Sequence, residues 1–316
     1  MADLREQLIS YLADAHSIEE QALVQMRRAP DIAGDEELAR IFRAHETETE
    51  EHERLVRERL EALGASPSKL KDLVMRAGGA GFGAFAALNP DTPGKLTAHA
   101  YSYEHLELAS YELLSRVAQR AGDEETVAVA RRIRDQEGQM GERLEACFDR
   151  AVDASLRAGG DDLPDRLTEY LADAHALETQ ALGLLDKGPE LVEDPEIASV
   201  MEQHLRETKE HRRLVAERLE QLGASPSRLK DAAMKLGALN WGTFFKAHPD
   251  TPGKLTAFAY AFEHLEIGGY ELLKRVAQRA GDGETAALAD RILAQERAAA
   301  EKIAGTWDQA VEASLS

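Results

Sequence analysis

Almost every stretch of this chain occurs twice, at one fixed spacing. Leu12-Ala13-Asp14-Ala15-His16 returns at Leu171-Ala172-Asp173-Ala174-His175, and PDTPGKLTA at 90–98 returns unaltered at 249–257. RVAQRAGD at 116–123 returns at 275–282, and 64–72 returns at 223–231 with one Lys-to-Arg change. Each pair is offset by 159 (175 − 16), so no insertion separates the copies. A period this long marks a duplicated domain and not a stacked array of small repeats. The 316 residues therefore divide into 1–157 and 164–316. The polar Gly/Pro segment Arg157-Ala-Gly-Gly-Asp-Asp-Leu-Pro164 joins them, and either half is long enough to bury a core.

Ala, Leu, Glu and Arg dominate, all strong helix formers, and no long apolar/polar alternation of the kind strands need is present. The first copy carries four long helical patterns, at about 3–28, 35–63, 92–121 and 123–150. Asp35 and Asp123 stand as N-caps, Pro67 and Pro93 in first turns, and Gly64 and Gly122 as C-caps. Short turns join the first helix to the second and the third to the fourth. Residues 64–91, with the Gly-rich AGGAGFGAF, join the second to the third. Two antiparallel hairpins linked by one long crossover form the ferritin-like topology. The expected fold is all-α: two tandem ferritin-like four-helix bundles packed as a pseudo-dimer, existing as a monomer or a small homo-oligomer.

A formal net charge of −20 argues against a nucleic-acid surface, which needs clustered Lys and Arg. Most of this acidity is expected to be a solvated face, although it can also draw in cations. Cys147 is the one cysteine, matched by Thr306 in the second copy, so neither an internal disulfide nor a cysteine metal knuckle is available. The sequence MADLREQLISYLADAH lacks a basic-then-apolar signal, and no apolar run approaches the roughly 20 residues of a membrane span. A cytoplasmic location is expected.

A bundle helix faces its core every three to four residues. The stripe runs Leu8, Leu12, Ala15, Glu19, Ala22, Met26 in the first helix and Leu38, Ile41, His45, Glu48, His52, Leu55 in the second. It runs Leu96, Ala100, Tyr103, Glu107, Leu114 in the third, with Glu104 one turn before Glu107, and Val129, Ile133, Glu137, Met140, Leu144 in the fourth. Every helix thus presents an inward carboxylate near mid-length. The second copy keeps the whole set as Glu178, His204, Glu207, His211, Glu263, Glu266 and Glu296. Acids off the stripe were lost: Thr179 matches Glu20, Leu205 matches Glu46, Lys209 matches Glu50 and Arg212 matches Glu53.

Carboxylates gathered in a dry interior repel one another and resist ionisation, and each is expensive to desolvate alone. Two divalent cations per copy remove that cost, with carboxylates bridging them and imidazoles completing the donor set. Glu/His donors without thiolate suit iron, or else manganese, and bundle cores hold such pairs on facing helices. His45 and His204 serve either as ligands or as residues that orient a ligand carboxylate. His16 and His175 lie beside the stripe. Tyr111 and Tyr270, one turn after Glu107 and Glu266, can hydrogen-bond a ligand, carry electrons or simply pack in the core.

At His45-x-x-Glu48-Thr49-x-x-His52, Glu104-His105-x-Glu107-Leu108-x-x-Tyr111 and Asp14-Ala15-x-x-x-Glu19-x-Gln21, the chain resembles the YciE/YciF family of bacterial stress-associated ferritin-like proteins. The resemblance covers nearly all of both copies. It implies a metal-binding bundle that normally dimerises, here fused into one polypeptide. The ligand layout is also similar to that of rubrerythrins, with two departures. Met140 and Ala299 stand where rubrerythrins carry a further carboxylate in the fourth helix, and no four-cysteine iron domain accompanies the bundle. The expected function is a di-iron oxidoreductase that meets peroxide or dioxygen and draws electrons from an external donor. Ferroxidation or iron storage, a di-manganese catalase-like reaction and a non-catalytic metal-stabilised scaffold are the alternatives.

Overall fold

A computed structural model of the chain describes residues 4–67, 92–159, 162–186, 194–226 and 251–315. Eleven helices and no strand occur among them, and none of these helices is long and apolar enough to cross a membrane. The chain divides into two compact units between Gly159 and Gly160. Unit 1 contains α1 (Leu4–Met26), α2 (Ala29–Ile32), α3 (Glu36–Ala62), α4 (Thr92–Ala121), α5 (Glu124–Glu145) and α6 (Phe148–Gly159). Unit 2 contains α7 (Leu163–Leu185), α8 (Pro195–Gln221), α9 (Thr251–Arg279), α10 (Gly283–Ala304) and α11 (Trp307–Leu315). The expected crossover, with its Gly-rich segment, falls from residue 68 onward on positions outside the described residues, as does the middle of the linker; Pro67, the last described residue before it, lies beyond the end of α3 and in no helix.

The helix ends follow the local chemistry of the sequence. Asp35 accepts from the backbone N–H groups of Glu37 and Leu38, and Asp123 from that of Thr126. These bonds satisfy donors that have no partner inside the helix. Gly64 and Gly122 take φ of +73° and +71°, which lets Ala65 N–H reach Leu60 O and Asp123 N–H reach Ala118 O. Arg59 then spans from α3 to the cap of α5, donating to both Asp123 oxygens at 2.9 Å and to Thr126 Oγ1 at 3.1 Å. Arg218, Asp282 and Thr285 repeat this joint in unit 2. In unit 1, α1 packs on α3 and α4, α4 on α5, and α3 on α5, so four long helices share one interior.

Two sequence expectations are corrected. The fourth helix, expected over 123–150, stops at Glu145, and α6 sets off from Phe148. Residues Phe148, Ala151, Val152 and Ser155 form an apolar face of their own, and Ser155 Oγ accepts the N–H of Gly94 at 2.7 Å. This helix therefore holds the start of α4, which a straight continuation of α5 would miss. The periodicity runs unbroken across the joint in the first copy; Gly305, opposite Ala146, is the signal in the second. The buried stripe of α3 also differs, running Leu38, Phe42, His45, Thr49, His52, Val56, Leu60. Ile41, Glu48 and Leu55 sit a step around the helix from where the spacing put them.

Candidate metal centre

Seven-residue spacing brings His45 and His52 to one face of α3, and three-residue spacing puts Glu104 and Glu107 on adjoining turns of α4. Glu19 enters from α1 and Glu137 from α5. All six are essentially inaccessible to water, none more than 1% exposed. His45 Nε2 lies 3.0 Å from Glu104 Oε2 and 3.4 Å from Glu137 Oε2. His52 Nδ1 lies 2.7 Å from Glu137 Oε1 and 3.9 Å from Glu19 Oε2. The donors form two ion-sized groups, His45-Glu104-Glu107-Glu137 and Glu19-His52-Glu137. Glu137 belongs to both.

Unit 2 repeats the arrangement as His204-Glu263-Glu266-Glu296 and Glu178-His211-Glu296. His204 Nε2 is 3.0 Å from Glu263 and His211 Nδ1 is 2.8 Å from Glu296.

These residues fit a cation better than they fit one another. Both oxygens of Glu104, Glu107 and Glu137, together with His45 Nε2 and His52 Nδ1, are buried without an aligned hydrogen bond, although several lie within ion-pair distance. Buried polar groups are normally satisfied, so this concentration of orphaned atoms at one spot marks a place for a charge they can all face. The electrostatics agree. Burial, opposed by His52, pushes Glu19 up to about 8. Burial, opposed by His45, pushes Glu104 up to about 7. Burial and the neighbouring carboxylates hold Glu107 and Glu266 well above the ordinary range. Burial works against a charged His45, but Glu104 and Glu137 outweigh it and raise the imidazole well above its usual value. The buried His/Glu groups could hold a metal ion.

Around the cluster, Tyr111 OH donates to Glu19 Oε1 at 2.5 Å and Tyr270 OH to Glu178 Oε1 at 2.5 Å. Of the roles open to these tyrosines, the structure thus shows contact with a cluster carboxylate. Sequence reasoning missed Gln136 and Gln295, whose Oε1 atoms lie 3.2 and 3.0 Å from His52 Nε2 and His211 Nε2. The sign was available: a glutamine precedes the fourth-helix glutamate in both copies.

Glu48 and Glu207 do not lie on the inward face where the spacing put them. They leave the buried set, because two histidines seven residues apart and the threonine between them turn α3 so that Glu48 points along the rim. Its side chain is 28% exposed and pairs with His45 Nδ1 at 3.0 Å and Arg143 Nη1 at 3.2 Å. The His45 contact, backed by Arg143, holds this carboxylate down to about 2. Glu207 instead accepts from Gln203 at 2.9 Å. A rim trio, His16, Glu20 and Glu53, occurs in unit 1, with His16 Nε2 3.0 Å from Glu53 Oε1. Glu53 is thus half-buried, not a water-facing acid.

The sequence matches the family described as a domain of unknown function, DUF892, over residues 3–157 and again over 162–316. The chain belongs to that family. DUF892 falls within the ferritin-like superfamily, which agrees with four long helices presenting carboxylates and imidazoles to a shared interior. Each DUF892 unit of this chain carries one complete cluster.

Proposed function

We propose that each unit binds a carboxylate-bridged pair of metal ions and that the protein is a redox protein of the YciE/YciF kind, acting on peroxide or dioxygen in stress defence. The sharing of Glu137 by two ligand groups carries this reading, since one carboxylate common to two ion-sized groups is what a bridged pair requires. Glu19 and His52 would hold one ion, and His45, Glu104 and Glu107 the other. The donor set is oxygen and nitrogen only, which favours iron and serves manganese as well. A bound pair supplies two-electron chemistry toward small oxidants.

The protein's own residues prepare the site. Nε2–H of His52, directed at Gln136 Oε1, fixes the ring so that Nδ1 faces Glu137, and a bound ion would take the place of the proton that Nδ1 shares with that carboxylate. Tyr111 fixes Glu19 through a hydrogen bond of 2.5 Å between the two oxygens and so keeps a proton beside its Oε1. The apolar turns above and below, Leu12, Ala22, Ile133 and Leu144, exclude water, which strengthens every charge interaction inside. Cys147 is buried and alone, so electrons would arrive from an external donor.

Elemental analysis of protein from its native host, followed by peroxide addition to ferrous-loaded protein, tests this. The expected result is about two ions per unit and an optical change on oxidation. Loaded protein inert toward both peroxide and dioxygen would overturn it.

A further inference from the structure

A small apolar pocket of about 30 Å³ indents unit 2 against the cluster residue Glu263, with the partly exposed Leu184 and Phe258 in its wall. Leu184, Met201, Phe258 and Phe262 line it. A water needs roughly 10–15 Å³ and two to four polar partners, and cavities without such partners stay dry and take up apolar gases. Glu263 is the one polar residue among the described lining. The volume admits a diatomic gas, and the wall offers a water only one polar partner, Glu263.

The positions 159 residues earlier differ. Gln25, Phe42, His99 and Tyr103 stand for Leu184, Met201, Phe258 and Phe262. Phe42 is fully buried, and Tyr103 OH donates to Ile18 O at 3.0 Å. Burial holds the His99 imidazole down to about 4. The same flank is apolar in unit 2 and carries hydrogen-bonding groups in unit 1, while Glu104 and Glu263 remain.

We propose that the unit 2 cavity binds a small apolar molecule of the dioxygen class and presents it to the Glu263 side of that centre, and that unit 1 has a polar approach in its place. The use made of the cavity rests on the redox reading above, but its existence as a gas site does not.

Xenon-pressurised crystals test it without any loaded metal. One xenon atom is expected in unit 2, in contact with Met201, Phe258 and Phe262. Met201→Phe installs the residue that unit 1 already carries at 42; it should keep the melting temperature and metal content and lose the xenon. Ferrous-loaded Met201→Phe protein should then oxidise part of its iron several-fold more slowly with dioxygen, with the peroxide reaction unchanged. An absent xenon atom, ordered water in the cavity, or xenon retained in Met201→Phe overturns the proposal. Inertness of the wild-type ferrous protein toward both oxidants would overturn the redox reading and leave the xenon result standing.

Discussion

The two units build the cluster from the same residues at nearly the same separations and part company one shell outward. Imidazole and carboxylate are 3.0 Å apart in both His45–Glu104 and His204–Glu263. The tyrosine bond is 2.5 Å in both units. At the rim, Glu48 leans on Arg143 while Glu207 leans on Gln203, and the His16–Glu53 pair of unit 1 has His175 and Arg212 at its positions in unit 2. Burial of the cluster accounts for the contrast. A buried charge that loses its partner is left uncompensated, at several kcal/mol, so no single member can drift. The rim acids Glu48 and Glu53 keep part of their surface in water, 28% and 15% of the side chain, so solvent can replace a lost partner at a smaller cost.

Three experiments would break or sharpen that contrast. The largest effect is expected from the shared carboxylates. Glu137→Ala should empty unit 1 and Glu296→Ala unit 2, each leaving about half of the bound metal by elemental analysis. Either variant emptying both units, or neither, would end the picture of two independent clusters.

Next in size is the response of metal-free protein to pH. Glu104 is raised to about 7, and Glu19 and Glu178 to about 8. Native protein therefore holds these protons more tightly than unfolded chain does. Their contribution to stability is complete below about pH 4.5 and is lost as pH rises through 8. The melting temperature of metal-free protein should fall by roughly 5 °C or more between pH 5 and pH 8. Loading with metal should flatten or reverse that slope, since cations favour the deprotonated donors. A metal-free melting temperature that climbs over this range would contradict the buried-acid assignment.

The smallest effect is expected at the rim. Glu48→Gln should cost less than about 1 kcal/mol, and Glu207→Gln less again, without change in metal content. If Glu48→Gln removed as much metal as Glu137→Ala, the rim carboxylate would be a ligand after all.

Much of this was legible in the sequence because duplication supplied a second reading of every position. Glu19, His45, His52, Glu104, Glu107 and Glu137 were placed inside by spacing and by their survival in both copies. Glu48 was misplaced because it also survived, and a period of 3.6 leaves a residue on the border of a face ambiguous by one step. Leu38, Phe42 and Val56, which rotate α3 to its true facing, resolve it only through three-dimensional packing. The break before α6 was hidden because Ala146 continues a helical pattern that only Gly305 interrupts. The apolar flank of unit 2 depends on how Met201 and the two phenylalanines sit together, which spacing along one helix does not express.

Membership of Glu137 in two ligand groups bears on how a unit would fill. The first cation to arrive must draw in that side chain and quiet the repulsion among the remaining acids. The second then meets a site already arranged and already partly neutralised. Occupancy would be cooperative within a unit, and a scarce supply of metal would produce some units that are full and others that are bare, with few in between.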